Sequence, residues 1–366
     1  MRKSRNRKPK PATEEPAKPA KGKPTGQSVK RPVILVAGDA AIDWFLYPVP
    51  AGSSNTNWRQ LPSMHSTAVP GGVCLLTHFL KQMVKAEGGR SVVVGPELNE
   101  PQLREFPPDK VIHSNAILED PDAGDKQRQG QRLRISKALG FMGPAQGTPQ
   151  LRFPAVPTPV ADIIVLDDVG NGFRDDLKAW PSALKGANQP WVVHKMSSPL
   201  ATGPLWDRLT KSHPEKRVVV VTAEALRQIA EVQLSSGLSW ERTARDFVFQ
   251  IQRSPHLRTL QQCPYLVVLF GVEGAILYQG GELETPSTLI FDPFNLEGQY
   301  QDSISGTVFG LTALMTASLA SSMAVRGIEN LVDAIKTGLR QARCFLERGY
   351  PHDPSVPFLP NAEEWN

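Results

Sequence analysis

Cysteine is scarce. Cys74, Cys263 and Cys344 are spread over 366 residues, and none belongs to a CxxC pair. That excludes a disulfide framework and a cysteine-based zinc site, and it fits a reducing compartment, so a cytoplasmic setting is expected. HExxH is missing, and His65, His78, His113, His194, His213, His256 and His352 are too scattered to suggest a metal centre; each reads as structural or exposed. No GxxxxGK[ST] stretch exists, which excludes a standard P-loop, and no GxSxG nucleophile elbow. Gly170-Asn171-Gly172 follows a strand pattern, but Asp175 stands where a dinucleotide fingerprint needs its third glycine. The basic N-terminus lacks an apolar h-region, which argues against a secretory signal. One uncharged run, Ser303 to Val325, has the length of a membrane span. It carries eight hydroxyl residues and no flanking basic cluster or aromatic belt. A helix buried against a sheet is the better reading, and no membrane span is expected.

Charge is unevenly placed. Residues 1–31 hold 11 Lys/Arg against Glu14 and Glu15, a local charge of +9. The remainder has 30 basic and 34 acidic residues, so the body is −4 although the whole chain is +5. The high pI belongs to the first segment, which is rich in Lys and Pro and nearly devoid of apolar residues. Such a stretch cannot bury enough surface to offset its ordering entropy, so residues 1–31 read as a disordered basic tail. Weak contact with nucleic acid or an acidic surface is one role for it; a solubilising leader is the other. The body offers no reason to expect a nucleic-acid surface. Its hydrophobic content, within 40% for the whole chain, supports a core of α/β size.

Strand and helix patterns alternate. Val33 to Ala37 is a continuous apolar run, as in a strand covered on both faces, and ends in Gly38-Asp39 with Asp43 beyond. Residues 48–70 read as an excursion from the core, after which Gly71-Gly72 opens a helix from Val73 to Val84. Ser91 to Val94 is a strand, and Arg132 to Phe141 suits a strand of a lid. The alternation then becomes regular. Strands are expected at Asp162–Leu166, Trp191–His194, Val218–Val221, Tyr265–Phe270 and Ala275–Tyr278, with helices over 172–186, 201–212, from Ala223, and over Trp240–Gln252 and Ile328–Arg348. This predicts a mostly parallel sheet with helices on both faces. Ligands of such sheets lie at the carboxyl ends of the strands, here marked by Gly38, Asp39, Asp167, Asp168, Lys195, Thr222, Glu224 and Gly271. Asp302-Ser303-Ile304-Ser305 runs into Gly306 and a small-residue helix. A helix start so placed either binds an anion on its free N–H groups or is packed with nothing at its end.

The order of these pieces resembles the ribokinase-like (PfkB-type) carbohydrate kinase superfamily over roughly residues 32–348. Gly38-Asp39-Ala40-Ala41-Ile42-Asp43 is similar to its opening G-D-x-x-x-D, and Gly71-Gly72 to its double glycine. Tyr265 through Ala275 looks like its late strand-turn-strand, and Asp302 to Gly310 falls where the family has D-T-x-G-A-G-D-x-F. The resemblance implies a three-layer sandwich with a small β lid: a domain over 32–350, lid excursions near 44–70 and 128–142, and a Pro-rich extension at 351–366. It implies ATP and Mg2+ as cofactors. It implies Asp39, Asp43, Gly71 and Gly72 as substrate-binding, Thr222, Glu224, Gly271 and Gly274 as nucleotide-binding, and Ser305, Gly306, Thr307 and Lys195 as the phosphate cradle.

The departures fall on chemistry. Ser305 and Thr307 replace the two signature glycines, and Val308 stands at the position of the aspartate that takes the acceptor's proton. Leu76 replaces the sugar-holding asparagine. Asp302 is the nearest carboxylate that can stand in as the catalytic residue, or else a turn or cap. Asp43 binds ligand hydroxyls or caps; Lys195 meets phosphates or is a surface lysine; Gly271 and Gly274 line an adenine pocket or make a turn. Three readings follow. One is a slow ATP-dependent small-molecule kinase acting on a carbohydrate or nucleoside hydroxyl. Another is a pseudoenzyme that binds a nucleotide or metabolite as a sensor. The third, ranked well below, is a nucleic-acid-associated protein working through its tail. A homodimer through the lid is a further implication of the resemblance.

Overall fold

The computed structural model describes residues 31–48, 64–97, 117–119, 133–142, 160–177, 180–185, 189–196, 203–230, 237–254, 259–260, 263–271, 274–279, 288–291, 299–300 and 310–347. The basic tail, the C-terminal extension, and Asp302, Ser305, Gly306, Thr307 and Val308 therefore lie outside the described residues.

The strands are β1 (Val33–Pro48), β2 (Met64–Gly71), β3 (Val92–Val94), β4 (Ile117–Glu119), β5 (Leu133–Met142), β6 (Ile163–Asp168), β7 (Trp191–Met196), β8 (Arg217–Thr222), β9 (Leu238–Ser239), β10 (Tyr265–Leu269), β11 (Gly274–Gln279), β12 (Thr288–Phe291) and β13 (Gln299–Tyr300). The helices are α1 (Gly72–Ala86), α2 (Pro204–Ser212), α3 (Ala223–Ala230), α4 (Trp240–Arg253), α5 (Leu311–Arg326) and α6 (Leu331–Glu347).

The body sheet runs β12-β11-β10-β8-β7-β6-β1, with β3 beside the first part of β1. Its centre, β10-β8-β7-β6-β1-β3, is parallel, and β11 and β12 add an antiparallel edge. Apolar side chains alternate between its faces. Ile34, Val36, Val165, Val193, Val220 and Val267 pack under α1, α5 and α6. Leu35, Leu166, Val192, Val219, Val221 and Val268 face the other way, toward Leu205, Leu209 and Trp206 of α2, Leu226 of α3 and Phe247 of α4. Burial on both faces is why these strands read as unbroken Val/Ile/Leu runs. The layers are helix, sheet, helix, as expected.

β1 is far longer than its apolar run. Past Gly38 it continues to Pro48, paired antiparallel with β2 on one side and β5 on the other, with β4 outside β5. This four-stranded outgrowth stands where a small β lid is expected; of the excursions expected near 44–70 and 128–142, residues 49–63 and 128–132 lie outside the described residues. A bulge at Ala40/Ala41 marks the changeover, a usual device for bending a strand. Gly38 (φ 154°) lies against Asp167 so closely that an added Cβ would strike the Asp167 carbonyl.

Three helix expectations are corrected. No α-helix is formed over 172–186 among the described residues; a loop leaves β6 and a 3₁₀ turn covers Ser182–Lys185. Gly170 and Gly172 adopt positive φ there (85° and 114°), and Pro181 precedes the 3₁₀ turn, so the segment spends its backbone donors outside a helix ladder. The small-residue helix starts at Leu311 rather than Gly306, behind a left-handed Gly310 (φ 80°). The last helix begins at Leu331 after a 3₁₀ turn at Ile328–Asn330.

Phe79, fully buried on α1 and edge-on to Phe345 of α6 at 6.0 Å, ties two helices of one layer together. Phe79→Ala should lower stability by about 3–5 kcal/mol in urea unfolding. A loss under about 1 kcal/mol would mean that the α1–α6 seam collapses to fill the gap. His78 beside it is held to a pKa of about 4, by burial first and then by the Lys81 charge. The unfolded chain takes up that proton near about pH 6.5. The stability tied to His78 is therefore complete above about pH 6.5 and drains away as pH falls toward about 4. His213 shifts the same way through burial and its Arg208, Arg217 and Lys216 neighbours. His78→Gln should remove the His78 share of this slope in unfolding titrations between about pH 7 and about pH 4.5; an unchanged slope would remove His78 from the account.

Candidate functional site

The carboxyl ends of β1, β6 and β7 gather six buried charged side chains, Asp39, Asp43, Asp167, Asp168, Arg174 and Lys195, with His194 among them. Burying that many charges is costly unless each is paired or richly hydrogen-bonded. Asp39, on β1, is fully buried and faces the loop after β6. Its Oδ2 accepts the backbone N–H groups of Val169 (2.9 Å) and Asn171 (3.2 Å), and its Oδ1 that of Phe173 (3.0 Å). Burial drives its pKa up; the three N–H bonds offset only part of that, and the Asp168 charge adds to the rise. The Gly170-Asn171-Gly172 turn thus does cradle an anion, but the anion is an internal carboxylate. Those three donors are occupied, which disposes of a dinucleotide phosphate at this turn.

Asp168 points to the same side of the sheet. Its Oδ1 accepts both Nε (2.9 Å) and Nη2 (2.8 Å) of Arg174, and its Oδ2 lies 3.6 Å from Nε2 of His194. Burial pushes this carboxyl upward, but His194 and Arg174 outweigh it and hold the pKa below the usual range. His194 is a buried core side chain in contact with the Trp206 ring, the structural role expected of it.

Asp167 and Lys195 face the opposite layer, toward α1 and α5. They are register partners on β6 and β7, and Lys195 Nζ donates to Asp167 Oδ1 at 2.5 Å. Burial raises the Asp167 pKa, with Lys195 working against it. The second oxygen, Oδ2, has no hydrogen-bond partner among the described residues. Lys195 is 6% exposed, so the surface-lysine alternative is wrong.

The residues expected on the substrate side meet at the changeover point of β1. Gly71 ends β2 opposite Ala41, and an added Cβ there would land on the Asp43 carboxylate. Gly72 (φ 54°) opens α1, and a Cβ on it would strike the Asp39 carbonyl. The double glycine is thus what lets α1 start against the changeover point of β1 while Asp43, 1% exposed, closes over it. On the other flank, Thr222 ends β8 and its Oγ1 accepts the Ala225 N–H (3.0 Å), an N-cap for α3, with Glu224 in the first turn as expected. Gly271 (φ 60°) leaves β10, and Gly274 begins β11, its carbonyl taking the Phe270 N–H (3.0 Å).

The fold therefore brings the Asp39–Asp43–Gly71–Gly72 group to one strand end, next to the Asp167–Lys195 and Asp168–Arg174 pairs, with Thr222 and Gly271 at the ends of β8 and β10. Sequence reading placed Asp167 and Asp168 at strand ends but gave them no role, and it missed Arg174. A doubled aspartate ending an otherwise apolar strand was the available signal.

Lys195→Met should destabilise the fold by about 3–5 kcal/mol by leaving the Asp167 carboxyl without its cation. Adding Asp167→Leu should return most of that loss, and a double-mutant cycle in urea measures the coupling. Additive losses would show that the pair acts as two independent groups.

No protein-family model matches this chain, and no curated protein matches it. Solved structures are similar at low identity. Adenosine kinase of Trypanosoma brucei brucei is 12% identical with a TM-score of 0.47, over 86% of this chain and 98% of that one. Ribokinase from Giardia lamblia is 10% identical with a TM-score of 0.43, over 92% and 99%. A 2-dehydro-3-deoxygluconokinase from Thermotoga maritima is 12% identical with a TM-score of 0.41, over 92% and 98%. The chain's own layout is the one its motif order implies: a three-layer body, a lid grown from the first strand, and a double glycine where lid meets helix, which is the ribokinase-like fold.

Proposed function

We propose that the chain is a divergent ribokinase-like kinase that binds a small hydroxylated metabolite, a carbohydrate or nucleoside, under its lid and phosphorylates it slowly from ATP. The observation that carries this reading is Asp43. It is a buried carboxylate on the lid-forming strand, pressed on the double glycine at the carboxyl edge of the sheet. A carboxylate so placed accepts hydrogen bonds from ligand hydroxyls, and two such bonds to a charged acceptor orient an acceptor strongly.

The nucleotide side fits in part. Lys195 Nζ has protons beyond the one given to Asp167 and can meet phosphate oxygens. Thr222 is already engaged as a helix cap. Among the described residues no group of three or more His, Cys, Asp or Glu could hold a metal ion, so Mg2+ stands on the resemblance alone. When bound, ATP would supply the phosphoryl group. Transfer forms a bond from the acceptor oxygen to phosphorus, breaks the bond to the ADP oxygen, and releases the hydroxyl proton. Val308 cannot take that proton. Phosphoryl transfer draws chiefly on positioning and charge stabilisation, so loss of the base slows the reaction without removing its basis. Asp302 is the carboxylate nearest in sequence to take over the base role.

A second reading, binding without transfer, has an observation of its own. Leu76, at the spacing of the sugar-holding asparagine, is fully buried in the α1 core and offers no polar contact. With Val308 it removes two groups the chemistry uses.

Thermal-shift titration with ATP, Mg2+ and a sugar and nucleoside panel, followed by ATP turnover, separates the two. A ligand that binds only the folded chain raises Tm by mass action. The kinase reading expects a shift with slow turnover, and Val308→Asp should raise the rate by about 10²–10⁴-fold. Asp43→Asn should abolish the acceptor's shift and leave that of ATP. A shift without turnover, unchanged by Val308→Asp, supports the binding reading. No shift at millimolar ATP or acceptor sinks both.

A further inference from the structure

A cavity lies away from the strand ends, where α1 and α5 finish beside the middle of α6. Its volume is about 180 Å³. Water occupies about 30 Å³ per molecule in the liquid, so this space suits a compound of several heavy atoms better than a single bridging water. Met83, Ser318, Ser321 and Ser322 form a buried floor, and Glu87, Arg326 and Gln341 stand around it.

The lining is polar and of both signs. Glu87 is held in place by Ser321, whose Oγ donates to its Oε2 at 2.9 Å. Arg326 forms no ion pair with a described acid. Gln341 Oε1 is a buried acceptor with no hydrogen-bond partner among the described residues. A buried acceptor left unmade costs free energy that a donor in the cavity would recover. The helix ends add to this. α1 ends at Ala86 and α5 at Arg326, so two carbonyl-rich, partially negative termini flank the space. One end of the cavity therefore suits a cation with several protons to donate, and Arg326 suits a carboxylate, which it can bind through two parallel N–H bonds.

We propose that this cavity is a binding site for a small zwitterion of the free α-amino-acid class, its ammonium on Glu87 and Gln341 and its carboxylate on Arg326. The site is separate from the lid cleft, and it holds whether or not the chain transfers phosphate.

The test uses the full chain without nucleotide. The twenty α-amino acids are screened by thermal shift, and those that bind are compared with their α-hydroxy-acid and decarboxylated-amine counterparts and with glucose. At a hundredfold excess over Kd, a true ligand should raise Tm by roughly 4 °C for a chain of this size. At least one amino acid should do so while its two counterparts and glucose do not. Arg326→Gln changes an exposed side chain and Gln341→Met keeps the volume, so both variants should fold, and each should weaken binding by about tenfold or more. Three results each overturn the proposal: no amino acid shifts Tm, the hydroxy acid shifts it equally, or both variants bind as the parent does.

Discussion

β1 carries two sets of partners within one continuous sheet, parallel along its first part and antiparallel along its second, and the rest of the molecule is arranged around that. Its first part is held between β3 and β6, its second between β2 and β5. A strand hydrogen-bonded on both sides has no free edge and little freedom to bend. The switch from parallel to antiparallel partners must happen within a few residues, and it happens at Gly38 and the Ala40/Ala41 bulge. Gly38 allows the backbone to approach Asp167 where no side chain fits, and the bulge turns the later strand out of the body. Asp39 and Asp43 ride on this bend. One is directed at the loop after β6, the other at the double glycine, so the geometry of the site is set by the strand that builds both lid and body.

Much of this was legible because period and punctuation agree. The unbroken runs at Val33, Ile163, Val218 and Tyr265 can only be strands covered on both faces, and the glycines that follow them locate the strand ends. The double glycine was readable as a helix start, though its reason, the close approach of Asp43 and Asp39, is a matter of packing. What escaped has physical causes. The lid half of β1, Asp39 to Pro48, alternates poorly, because it is set by strand partners distant in sequence rather than by its own pattern. The helix expected over 172–186 is not formed among the described residues; the N–H groups of Val169 and Asn171 just before it and of Phe173 at its start bond instead to Asp39, 130 to 134 positions earlier. Lys195 reads as a surface residue, since nothing local reveals a carboxylate on the neighbouring strand.

The two sides of the sheet handle buried charge differently. On the α2 side, Asp168 has the Arg174 guanidinium, the His194 imidazole at 3.6 Å and the loop-holding Asp39 beside it, and its partners keep it ionised, although neither His194 ring nitrogen has a hydrogen-bond partner among the described residues. On the α1–α5 side, Asp167 has a single cation for one oxygen and none among the described residues for the other. The first set is structural: it pins the β6 loop and uses up its donors. The second is incomplete, and it lies on the layer that contains α5, whose approach sequence is the stretch similar to the phosphate cradle.

That asymmetry bears on whether the chain is a scaffold or a ligand-binding protein. Buried ion pairs contribute little net stability, and well-packed apolar residues in their place are often neutral or better. The Asp167–Lys195 pair therefore has little energetic claim to its position in a protein whose duty is only to keep its shape. Leu76, fully buried on α1, is apolar where the resembled family has a polar residue, and Val308 is a second such position in the sequence. Asp39, Asp43, Asp167 and Lys195 are buried charged groups all the same. On the proposed reading, charged groups kept beside a valine at the base position are what binding with slow transfer would leave.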